Sequence, residues 1–250
     1  LKRFSEDLDF RVRYEFQGAS QSQLRNIKRQ YREGILAHLQ SVEDITFDEG
    51  GVQTDGLGFR LQLTYPKHFK TPDNIRPELQ VEFSYTQPRL DPEHRSIASF
   101  VSEYKSEDPE TSITCLSPIE IAGDKVSSLV WRVLKRNRDS ETDDPALLRH
   151  LHDLCALDGA IKENPSTFIE TALASFSTDQ ERQNRNVGMQ LIDAASKAHE
   201  TMVNDIKYLE EYQVFVDEMS YADASETISF DTAIEGFVSI FRLIQESEAE

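Results

Sequence analysis

Leu116-Ser-Pro-Ile-Glu-Ile-Ala-Gly-Asp-Lys-Val-Ser-Ser-Leu129 marks the place where the chain changes period. Ser117 is a helix-capping residue, and Pro118 follows in the first turn, where a missing N–H costs nothing. Apolar residues then recur at three- and four-residue steps, which predicts a helix to about Lys135. Asp144-Pro145 opens the next helix by the same device. Four more are predicted near 165–182, 187–204, 206–219 and 230–246, the last on the spacing of Phe237, Ile240, Phe241 and Ile244.

Upstream of Ser117 the period is two. In Asp7-Leu-Asp-Phe-Arg-Val-Arg-Tyr14, Leu8, Phe10, Val12 and Tyr14 take one face of a strand, Asp7 and Asp9 the other. Leu79, Val81, Phe83 and Tyr85 alternate with Gln80, Glu82 and Ser84 in a second strand over 78–87. Further strands are expected over 44–53, over 59–65 and near 111–116, with Asp55-Gly56 as a turn. One helix, capped by Ser20 or Ser22, carries Leu24, Ile27, Tyr31, Ile35 and Leu39 at helical steps. The pattern predicts an α+β chain, strands with one helix and then an all-helical half, the boundary falling near 117–160 and the domains being taken as 1–116 and 117–250.

Charge is as uneven as period. The 250 residues hold 27 Lys+Arg against 45 Asp+Glu, a net charge of −18. Residues 151–250 account for −14 of this, with 20 acidic and 6 basic side chains, and the tail from Glu246 to Glu250 is acidic. A protein that wraps nucleic acid over its whole surface is excluded, because phosphate binding needs clustered Lys and Arg. Any polyanion is therefore gripped by the first 150 residues. Two cysteines, Cys115 and Cys155, make no disulfide framework, and no apolar run approaches the roughly 20 residues of a spanning helix. A reducing cytoplasm is the expected compartment.

Two carboxylates two apart on a strand, Asp7 and Asp9, project from one face and ask for a hard divalent cation or for arginine. Arg3, Arg11 and Arg13 are candidates for the second option; a solvated strand face is the plain alternative. Glu82 lies on the polar face of another strand and supplies a third carboxylate if the two strands are neighbours. Lys125 stands beside the apolar stripe of the helix after Ser117, and Arg132, seven residues on, projects from nearly the same side. One helix thus aims two cations at phosphates, unless the lysine stem merely reaches to solvent. Arg149, His150 and Asp153 share a face of the next helix, either as a polar cluster or as a wet surface. His150 and His152 diverge by roughly 200° on a helix, which is poor zinc geometry.

Three motifs in order, Arg3-Phe-Ser-Glu-Asp-Leu-Asp-Phe10, the Leu116 to Leu129 stretch, and Arg149-His-Leu-His-Asp-Leu154, resemble the AbiEii/AbiGii toxin family of nucleotidyltransferases, the toxin halves of bacterial toxin–antitoxin and phage-abortive systems. The resemblance implies a nucleotidyltransferase sheet followed by a helical domain, with Mg2+ on Asp7 and Asp9 and NTP contacted by the lysine of Glu-x-x-x-x-Lys, here Glu120 and Lys125. Asp153 matches the aspartate of the family's later helix. It also implies transfer of a nucleotide from NTP, in characterised members to tRNA acceptor ends, and a cognate antitoxin as partner.

The expected catalytic set is accordingly Asp7, Asp9, Lys125 and Asp153, with Arg132 as a second phosphate contact and Glu82 as a third metal ligand, all around one magnesium-bound triphosphate. The family's Gly-Gly or Gly-Ser turn, about ten residues before the first aspartate, has no counterpart in a sequence that starts six residues before Asp7. Either the turn lies upstream of Leu1 or the protein does not hold NTP in the family's way. Without it the second reading gains, a catalytically degenerate binding module whose acidic helical half docks a basic protein.

Overall fold

The computed structural model describes residues 2–5, 7–13, 18–68 and 77–248. Tyr14 of the first predicted strand and the end of the acidic tail lie outside the described residues. The chain divides into two compact units, Phe4–Pro88 and Leu1–Arg3 with Arg89–Glu250.

The smaller unit is a sheet under one helix. β1 (Asp7–Arg11), β2 (Gln53–Thr54), β3 (Gly58–Leu63) and β4 (Leu79–Ser84) lie in the order β1-β4-β3-β2, with β1 parallel to β4 and the other pairs antiparallel. The period-two pattern explains the two faces. Phe59, Leu61, Leu63, Val81 and Phe83 are buried on one side, where Ile35, Leu36 and Leu39 of α1 (Gln21–Gln40) pack against them. Leu8 and Phe10 occupy the same face on the edge strand and stay half exposed, Phe10 stacking on Phe83 at 5.1 Å. α1 starts at a capping box, in which Ser20 and Gln23 each accept the other's backbone N–H. The expected strand over 44–53 is broken: Asp48 Oδ1 takes the N–H of Gly50, a 3-10 turn follows at Glu49–Gly51, and only Thr46, bridged to Thr64, and β2 remain extended. Asp55 Oδ1 accepts from the N–H groups of both Leu57 and Gly58, which builds the turn into β3. Gly58 has no room for a side chain, since a Cβ there would fall 2.3 Å from the Phe83 carbonyl oxygen.

The larger unit begins with a hairpin and becomes a helical body. β5 (Glu93–Ile97) pairs antiparallel with β6 (Thr111–Cys115), and α2 (Phe100–Lys105) connects them. α3 (Pro118–Lys135) starts on Ser117, whose hydroxyl accepts the Ile119 N–H. Its Ala122, Val126, Leu129 and Val130 are fully buried. After a 3-10 turn at Pro145–Leu148 come α4 (Arg149–Ala156), α5 (Asp158–Glu163), α6 (Pro165–Gln180), α7 (Leu191–Asn204), α8 (Ile206–Met219) and α9 (Phe230–Glu248). One apolar core built from α3 to α9 includes Leu151, Leu154, Phe168, Met202, Tyr212 and Phe237. α3 and α6 approach closely at Gly123, where a Cβ would lie 2.8 Å from the Thr171 methyl and 3.0 Å from backbone.

Candidate active site

The parallel pairing of β1 with β4 sets Asp7 opposite Gln80, Asp9 opposite Glu82 and Arg11 opposite Ser84. Residues opposite one another in a ladder share a face, so Asp7, Asp9 and Glu82 all project from the polar side of the sheet, away from α1. The same pairing brings Arg60 of β3 beside Glu82. Asp9 and Glu82 are exposed and Asp7 is half buried, its carboxylate accepting the Ser5 hydroxyl at 2.7 Å. Among the described residues no three His, Cys, Asp or Glu side chains are gathered closely enough to hold a metal ion. The donor set nevertheless suits one. Carboxylate oxygens are the ligands Mg2+ takes, and a strand spacing of about 4.8 Å lets such side chains converge by rotamer change alone.

In the larger unit α3 and α4 bring Lys125 and Asp153 together. The Lys125 ammonium stands 2.6 Å from Asp153 Oδ2, and the carboxylate has no exposed surface. Arg3 completes the cluster, donating from Nε to Oδ1 at 2.7 Å and from Nη2 to Oδ2 at 2.6 Å, the bidentate geometry of a guanidinium fork. His152 Nδ1 lies 3.5 Å from Oδ1. Burial works to raise the Asp153 pKa, but the hydrogen bonds from Arg3, the nearby His152 ring and the charge of Lys125 outweigh it and hold the carboxyl well below the usual range. Asp153 therefore stays ionised and positions the lysine ammonium. The α4 face is not a wet surface.

Arg132 does not join that cluster. Its Nη1 bonds Asp144 at 3.0 Å, its guanidinium lies over the Trp131 ring at 5.2 Å, and its buried Nε has no partner among the described residues. With Trp131, Lys135, Ser140, Thr142 and Asn184 it lines a cavity of about 290 Å³. His150 feels the charges of Lys125 and Arg132 of α3. Burial first, then the charges of Lys125, Arg149 and Arg132, keep its pKa far below the ordinary imidazole value, against the opposing pull of Asp153. The ring is neutral at pH 7, and neither buried nitrogen has a partner among the described residues.

Two features of this unit escaped the sequence reading. Arg3 was expected as a counter-charge for Asp7 and Asp9, and a bond to a residue 150 positions away leaves no local pattern. Glu120 has a structural role as well: fully buried, it accepts the backbone N–H groups of Arg89 and Leu90 at 3.0–3.1 Å and anchors that segment on α3. A glutamate on the apolar side of an otherwise buried helix was the available signal.

Residues 1–236 match the family described as "Nucleotidyl transferase AbiEii toxin, Type IV TA system", and the chain belongs to that family. No curated protein and no solved structure matches it. Among the described residues no helix is long and apolar enough to cross a membrane.

Proposed function

We propose that the chain is a Mg2+-dependent nucleotidyltransferase that moves a nucleotide from NTP to an RNA acceptor, the end of a tRNA, in the cytoplasm, and that a cognate antitoxin opposes it. Asp7 and Asp9, with Glu82 from the neighbouring strand, would hold the metal; the ion when bound neutralises triphosphate charge and favours attack on the α-phosphorus. Lys125 contacts the phosphates, and Asp153 acts as a positioning residue that keeps the lysine aimed. The reaction joins an acceptor oxygen to the α-phosphorus and releases pyrophosphate. The observation that carries this reading is the register of β1 and β4, which sets Asp9 directly across from Glu82 and on the same face as Asp7.

The test is transfer of label from each of four NTPs to tRNA in Mg2+. Asp9→Ala and Lys125→Ala are each expected to lose at least roughly 100-fold in rate, equivalent to about 2.7 kcal/mol of transition-state stabilisation. Full activity in either variant removes that residue from the mechanism. The internal pairing of Lys125 with Asp153 favours a second reading, in which the lysine is structural and the chain is a binding module that docks a basic protein through its acidic helical half. Ligands that bind the native state raise its melting temperature. A flat melting temperature across all four NTPs with Mg2+ selects this second reading.

A further inference from the structure

The polar sheet face and the Lys125 cluster leave one strongly charged feature of the smaller unit without a role. Residues 16–32 contain four basic side chains and no acidic one, in a chain of net charge −18. All four lie on α1, at Arg25, Lys28, Arg29 and Arg32. At roughly 100° per residue these positions fall within an arc of about 100°, a single face of the helix. The same line continues downward as Ile35, Leu36 and Leu39, which pack on the sheet. One stripe therefore changes from core-facing apolar to cationic halfway along the helix.

Little inside the unit explains the upper half of that stripe. Lys28 alone is well committed, donating to the Gly56 carbonyl at 2.9 Å with its ammonium 4.7 Å from the Tyr85 ring centroid. Arg29 bonds Asn26 and pairs loosely with Glu33 at 3.8 Å, both exposed. Arg25 and Arg32 have neither an ion pair nor a hydrogen bond among the described residues. The arrangement also works against the helix. Arg25 with Arg29 and Lys28 with Arg32 are like charges four apart, and the first turn holds no acidic residue to meet the helix dipole. A row that opposes its own helix, two of whose arginines have no ion pair or hydrogen bond among the described residues, is suited to an external anion. Three of its four members are arginines, whose planar fork fits a phosphate. From Arg25 to Arg32 the axis rises about 10.5 Å, comparable with the axial rise of roughly three base pairs of a duplex.

We propose that Arg25, Lys28, Arg29 and Arg32 form the surface on which the chain docks the sugar–phosphate backbone of its RNA acceptor. The proposal rests on the transferase reading for the identity of that RNA, and it accounts for how so acidic a chain holds a polyanion.

The experiment uses the full chain and fluorescently labelled tRNA, with the dissociation constant measured by anisotropy from about 50 to 200 mM salt, the range over which phosphate contacts weaken steeply. Arg25→Gln, Arg29→Gln and Arg32→Gln combined should weaken binding at least roughly 30-fold at the low-salt end and reduce the slope of log K against log salt by about 2 to 3. Replacing the same three arginines by lysine should retain most of the slope. Affinity and slope unchanged in the glutamine variant, with its melt intact, overturn the proposal. So does binding to polyglutamate in preference to tRNA, which would make the row a site for an acidic protein. Two further outcomes separate this proposal from the transferase reading. Wild-type transfer to tRNA at full rate by the glutamine variant sinks the docking surface alone. Row-dependent tRNA binding with no nucleotide transfer in the wild type sinks the transferase reading and leaves the surface standing.

Discussion

The acidic side chains of the two units are in opposite physical states. Asp9 and Glu82 stand exposed on a sheet face, where water screens their charge, whereas Asp153 has no exposed surface and is enclosed by Arg3 and Lys125. The second group was desolvated when the chain folded, and its cations are already in place. Exposed carboxylates of this kind exchange partners at little cost to the fold, and a buried, doubly paired one does not.

That contrast breaks first at Asp153. Asp153→Ala strands two cations in a buried setting and should cost about 3–5 kcal/mol in urea unfolding, far more than any change on the sheet face. The acid limb carries the same signature. The folded-state pKa of Asp153 lies below the ordinary 3.8, so its contribution is complete above that value and is lost as pH falls below it. Asp153→Asn should show a shallower loss of stability between about pH 5 and pH 2 than the wild type. An identical acid limb would mean the ion cluster contributes nothing.

An intermediate effect is expected from backbone packing alone. In Gly123→Ala the new methyl meets Thr171 and the α6 backbone at 2.8–3.0 Å, with no flexible chain end to give way. A loss of about 1–3 kcal/mol follows. It should appear as a lower urea midpoint with an unchanged m-value. At the other extreme, Glu82→Gln should alter stability by no more than about 0.5 kcal/mol, as surface substitutions do. A cost near that of Asp153→Ala would show that the sheet face is a folding element rather than a ligand face.

What the sequence disclosed follows the range of each signal. Local chemistry was plain: Ser117 and Pro118 marked the start of α3 within a residue, Ser20 proved the cap of α1 where Ser20 or Ser22 was expected, and α6 to α9 followed from their apolar period. Alternation placed β1, β3, β4 and β6. β5 and α2 were not foreseen, because Glu93-His-Arg-Ser-Ile97 has one apolar residue and is extended only by its ladder with β6, while α2 has only six residues. The common face of Asp7, Asp9 and Glu82 was legible as a conditional, since alternation assigns faces but does not choose neighbours. Burial of Asp153 was not legible at all. Its helix face reads as polar, and the arginine that makes burial tolerable comes from the far end of the chain.

That arginine also closes the longer of two loops. Lys125 lies 28 positions before Asp153 and Arg3 lies 150 before it. Closing the longer loop costs about 1.5 kcal/mol more in chain entropy. The lysine contact is therefore the cheaper of the two to close, and the arginine ties the amino end of the chain to α4 across the longer span.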